Sequence, residues 1–102
     1  MPPIRDRMKL SDVATIRTDF PDADFWLVRR GSLKTVGSVS CEFHREHIGI
    51  KVTRTDIVLA DYLRYCLMYL HERGRWEPLA TGTLSLVNIR VSDVKAIGLN
   101  QR

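Results

Sequence analysis

Long apolar runs are missing from this chain. None approaches the ~20 residues needed to span a bilayer, so no membrane role is expected. The opening MPPIRDRMKL lacks the apolar core of a secretory signal. Cysteine is scarce too, with Cys41 and Cys66 the only two. Two cysteines without a signal peptide exclude a disulfide framework and suit reduced thiols, so a cytoplasmic location is expected. The chain's 102 residues are enough for one core and too few for two domains.

Catalytic signatures are also thin. No serine sits in a nucleophile elbow, and no glycine-rich loop has phosphate-cradling spacing. His44-Arg45-Glu46-His47 is not the metalloprotease arrangement. Cys41, His44 and His47 have C-x2-H-x2-H spacing. A fourth ligand is not apparent, however, and a partly extended segment would point these side chains apart. The expectation is therefore no metal, no cofactor, no catalytic residue and no enzyme. A Cys-His pair would need a base beside Cys41 that the sequence does not supply. A small nuclease built on His44 and His47 has no supporting pattern.

What is present is one strong helix. In Leu59–Gly74, LADYLRYCLMYLHERG, the residues Leu59, Tyr62, Leu63, Cys66, Leu67 and Leu70 recur at helical spacing, which predicts a core-facing stripe. Asp61 in the first turn and His71 and Arg73 in the last suit the helix dipole. Gly74 is placed to end the helix in a left-handed conformation. Tyr65, Met68, Tyr69 and the nearby Trp76 widen the apolar surface. They are the candidates for a protein interface, although each could instead complete a small core.

Such a helix needs a sheet to cover it. Residues 24–30, DFWLVRR, are strand formers that run from apolar residues to arginines. Residues 33–36 could return as a hairpin partner after the Arg30-Gly31-Ser32 turn, and 39–43 could add a short strand. In HIGIKVTR, Ile48, Ile50 and Val52 alternate with Gly49, Lys51 and Thr53, which predicts a strand with one buried face. Gly49 there suggests close approach of another segment. Residues 84–90 are apolar and β-branched. The expected fold is α+β: one small, curved, mostly antiparallel sheet of 24–30, 47–53 and 84–90 on the helix 59–73, in a domain of residues 9–99 behind a flexible arm, 1–8.

One internal echo stands out. KLSDVATI, residues 9–16, and RVSDVKAI, residues 90–97, share Ser, Asp, Val and Ile at equal offsets. Both read as capped turns with an apolar landing residue. They also suggest that the two ends dock side by side.

The net charge is +4 and the pI about 9.4, mildly basic. Arg29, Arg30, Lys34, Arg45, Lys51 and Arg54 cluster in sequence against Glu42 and Glu46 alone. This is either a solvated face or a surface that follows a phosphate backbone.

HIGIKVTRTDIVLADYLRYCLMYL and WEPLATGTLSLVNIRVSDVKAIGL together resemble the target recognition domain of the DNA-specificity subunit of type I restriction-modification enzymes. The carrying features are Tyr62–Leu67, the Ala80–Thr83 loop, Asn88-Ile89 and the closing 91–97 segment. KLSDVATIRT and ADFWLVRRGS fit its opening. The resemblance covers most of residues 9–99 and rests on motif order rather than on any single motif. It implies a non-catalytic module that binds double-stranded DNA. Arg29, Arg30, Lys34, Arg45 and Arg54 would neutralise phosphates, while Arg30, Ser32, Thr83, Ser85 or Asn88 would reach base edges. The stretch 37–47 reads as shortened, and the long helices that bind methyltransferase subunits have no counterpart. The implied module stands alone, with a methyltransferase subunit or another defence-system protein as partner. The alternative is a protein-interaction module that docks on or inhibits a defence complex, or a homodimer.

Overall fold

The computed structural model describes residues 8–83 and 86–98. The expected arm and the end of the domain at Leu99 lie largely outside these residues. The fold is α+β, with seven antiparallel strands in two sheets beside one main helix among the described residues. No described helix is long and apolar enough to cross a membrane.

The chain enters through a 3-10 turn at Leu10–Asp12 and continues into β1, Ala14–Thr18. In β1 Ala14 and Ile16 point inward while Thr15 and Arg17 face solvent, the period of two expected of a half-buried strand. β2 is Phe25–Leu27, β3 Arg30–Gly31, β4 Val39–Ser40 and β5 Ile48–Val52. The larger sheet runs β1-β5-β2-β4. Its register sets Ile16 opposite Ile50, and Ile50 opposite Phe25, so these three share the inner face.

The outer face of that sheet is covered too. Trp26 pairs with Gly49 there, and the loop after β1 folds across them. The Trp26 indole N–H donates to the Phe20 carbonyl at 2.9 Å. A Cβ on Gly49 would lie 2.7 Å from Phe20 Cβ and 2.9 Å from Ala23 Cβ. The close approach expected at Gly49 is therefore present. Because of it, Phe25, Trp26 and Leu27 are all buried although they alternate faces.

The run 24–30 does not form one strand. It breaks at Val28 and Arg29, and its second half leaves the first sheet. There β3 pairs with β7, Val87–Asn88, which pairs in turn with β6, Thr81–Gly82. The expected single sheet is thus two; of the expected strand 84–90 only Val87–Asn88 is a strand of the smaller one, and residues 84 and 85 lie outside the described residues. Residues 33–36 form turns rather than a returning strand. The partner of β2 is β4, with Leu27 opposite Val39.

The main helix, α1, spans Ala60–Glu72. Gly74 takes φ +74°. The Arg75 amide donates to the Leu70 carbonyl and the Gly74 amide to that of His71, both at 3.0 Å, closing a Schellman cap. Leu63 and Leu67 are buried, with Ala60 and Leu70 packed partly beside them. Leu59 and Tyr62, expected on the core stripe, are 63% and 65% exposed. The helix is rotated from the symmetric expectation because only the aliphatic line 60-63-67-70 meets the core, which leaves the bulkier tyrosines outside.

The two echoing ends meet. The Leu10 amide donates to the Ile97 carbonyl at 2.8 Å, and Lys9 and Gly98 form an antiparallel bridge. Asp12 accepts the Lys9 amide at 2.8 Å, and Asp93 accepts the Arg90 amide at 3.1 Å. Asp93 opens the short helix α2, Val91–Lys95. Each aspartate satisfies the amide that precedes its turn, which is one half of a capping box; the Lys9 and Arg90 side chains have no acceptor and cannot make the other half. Val13 and Val94, equivalent in the echo, are both fully buried.

Candidate nucleic-acid interface

The break in the 24–30 run aims the arginines. Val28 still bonds alongside the β2–β4 pair, and Arg29 is the first residue bonded to the segment of the smaller sheet. The Val28 amide donates to the Ser38 carbonyl at 2.9 Å, and the Ile89 amide donates to the Arg29 carbonyl at 3.0 Å. Arg30 then pairs with Asn88, and Asn88 with Thr81, so the three form a row across the smaller sheet. Ser32 and Lys34 follow in the next turn. This turn is anchored to α1, because His71 Nε2 lies 2.7 Å from the Lys34 carbonyl oxygen, at a distance for a hydrogen bond donated by the ring.

Register places the remaining cations. Leu27 pairs with Ile48, so the end of β2 and the start of β5 lie together. Arg29, Arg30 and Lys34 emerge just past that end, and Arg45 precedes β5 on the same side. The Arg45 carbonyl accepts the Asp19 amide at 2.9 Å. Among the described residues none of these four forms an ion pair.

Arg54 does not join them. It lies past the opposite end of β5, and Asp56 holds its guanidinium in a bidentate pair at 2.8 and 3.0 Å. That carboxylate raises the arginine's pKa, and the arginine lowers that of Asp56. Lys51 is also engaged, 3.9 Å from Asp24, while Asp24 caps the Val52 amide at 2.8 Å with its other oxygen.

The hydroxyls nominated to read bases are occupied locally. Ser32 and Thr35 hydroxyls share a hydrogen bond at 2.6 Å. The Thr83 hydroxyl donates to the Leu86 carbonyl and accepts the Leu86 amide, both at 3.3 Å. Ser85 lies outside the described residues. Asn88 is half-buried. By register the four cations lie toward one end of the larger sheet, Arg29 half-buried and the other three exposed, with Asn88 paired beside Arg30. Such a set suits phosphate oxygens better than base edges.

The nominated protein-interface residues separate. Tyr65 and Tyr69 are 62% and 57% exposed, and Met68 is half-buried. Trp76 is 1% exposed and belongs to the core. Its indole lies against Gly37, whose φ is +85° and where a Cβ would sit 1.9 Å from the ring. No local pattern could distinguish this tryptophan from an exposed one, because its pocket is made by a glycine thirty-nine positions away.

Cys41, His44 and His47 do not form a metal site. No group of three ligating side chains occurs among the described residues. The two imidazoles instead stack, with centroids 4.6 Å apart. Burial, and then the neighbouring His44, hold the His47 pKa below its ordinary value of 6.5.

Set against protein families, curated proteins and solved structures, the chain matches none.

Proposed function

We propose that this chain is a non-catalytic DNA-binding module of the kind its resemblance to a type I target recognition domain implies. The observation that carries the reading is that the strand register directs Arg29, Arg30, Lys34 and Arg45 toward one end of the larger sheet, outside the ion pairs of the described residues. Of the other described cations, Lys51, Arg54, Arg64 and Arg90 are engaged by aspartates, while Lys9, Arg17, Arg73, Arg75 and Lys95 also stand outside ion pairs. Duplex DNA is the ligand, and Arg30 and Asn88 on the smaller sheet are the side chains that would approach base edges. A separate methyltransferase subunit or another defence-system protein would supply any chemistry.

The test is a salt titration of binding to random-sequence duplex DNA. Affinity that falls linearly on a log–log plot, with a slope of roughly −4 for about four phosphate contacts, supports the reading. Retention that is absent at low salt sinks it. The second reading, a module that docks on another protein, is favoured by the open tyrosines of α1.

A further inference from the structure

α1 carries two apolar faces, and only one is used by the fold. At about 100° per residue, Ala60, Leu63, Leu67 and Leu70 point one way and line the core. Leu59, Tyr62, Tyr65, Cys66 and Tyr69 fall within an arc of about 120° on the other side. Leu59 and the three tyrosines are 57–65% exposed, and Cys66 is half-buried between them. Cys66, one turn further along the helix, holds the Tyr62 phenol's pKa above its ordinary 10.0. At about 200 Å² per tyrosine, this face leaves roughly 450 Å² of largely apolar surface in water, within the size range where a contiguous patch marks an interaction site.

The charges at its ends select the occupant. Asp61 stands at the start of α1 with its side chain 91% exposed and only a 3.9 Å approach from Arg64 of the same helix, and Arg73 stands just past its end, over the Tyr69 ring at 5.7 Å. Run antiparallel against itself, the helix puts its acidic start beside its own basic end and opposes the two helix dipoles. With the two-fold axis between Tyr65 and Cys66, Tyr62 meets Tyr69 of the second copy, and Asp61 lies within about one turn of the second copy's Arg73. The face is therefore complementary to itself, as a two-fold interface requires.

We infer that this chain forms a two-fold homodimer through the exposed tyrosine face of α1, paired antiparallel with Cys66 beside the axis. The inference does not rest on the DNA reading. A standard interface covers about 800 Å² per partner, so this smaller surface suits a dimer with a dissociation constant on the order of micromolar.

Sedimentation equilibrium of the full chain, from about 1 µM to about 1 mM, tests it. A concentration-dependent dimer is expected, and a monomer throughout overturns the inference. Tyr62→Glu with Tyr69→Glu should weaken dimerisation at least tenfold while leaving the circular dichroism spectrum unchanged, since both side chains are largely exposed. Asp61→Arg should weaken it as well, and adding Arg73→Asp to the same chain should restore it. A dimer indifferent to all three changes uses another face and refutes the proposal. In Cys41→Ser protein, a short bismaleimide should link the two Cys66 thiols. A dimer that resists this linkage does not have Cys66 at its axis.

Discussion

Replacing Arg29 and Arg30 together by alanine removes two of the four cations directed toward one end of the larger sheet. If each of the four neutralises one phosphate, the log–log salt slope for duplex DNA is about −3.6, and the double variant retains about −1.8. Between 50 and 200 mM salt the native chain should then lose about 150-fold in affinity and the variant about 12-fold. Fluorescence anisotropy with a labelled random duplex measures both. The fold should tolerate the change, because Arg30 is exposed, Arg29 is half-exposed and neither is in an ion pair among the described residues. A control comes from the Arg54–Asp56 pair, which lies at the other end of β5. Arg54→Ala with Asp56→Ala leaves the net charge unchanged and should leave the slope unchanged. The reasoning is refuted if the Arg29/Arg30 variant keeps the native slope, or if the charge-neutral Arg54/Asp56 change lowers the slope as much, since the phosphate contacts would then not lie at this end of the sheet.

Glycine substitutions should rank by what the new Cβ meets. Gly74→Ala strains only a left-handed cap and should cost about 1 kcal/mol, whereas Gly37→Ala adds a collision with the buried Trp76 indole and should cost about 3 kcal/mol or more in urea unfolding. His47 gives a pH dependence. Its neutral ring is favoured in the fold, so the unfolded chain binds that proton more readily; this contribution is complete above 6.5 and is lost as pH falls through the lower folded value. His47→Gln should flatten the decline in melting temperature below that pH, and an unchanged decline would place its cause elsewhere. Asp12→Ala and Asp93→Ala should each cost about 1 kcal/mol by loss of an amide bond, with Asp93 the costlier because it also pairs with Arg90. Equal and negligible losses in thermal unfolding would show that the two caps contribute nothing.

Much of the fold was legible one segment at a time. The alternation of Ile48, Ile50 and Val52, the left-handed end at Gly74, the close approach at Gly49 and the capped turns of the echo all follow from short-range rules. In each case the deciding interaction lies within a few residues of the signal, or depends on which side chains a strand can present. The candidate site was less legible. The basic cluster is visible as composition, but its division into a free group and the bound Arg54 depends on which carboxylate each guanidinium reaches. The hydroxyls of Ser32 and Thr83 read as free donors until Thr35 and Leu86 are placed beside them.

By itself the sequence determined that α1 and β5 would form, where α1 would stop, and that two like ends would be capped. These outcomes are set by dihedral preferences and by hydrogen bonds within a few residues. Only the tertiary structure decided that residues 24–30 divide between two sheets, that Trp76 goes inside, and that the tyrosines of α1 stay out. Helical spacing admits two apolar faces on α1 without ranking them. The core takes the aliphatic line because Ala60, Leu63, Leu67 and Leu70 fill the space beside the sheet, a volume set by segments far away in the chain.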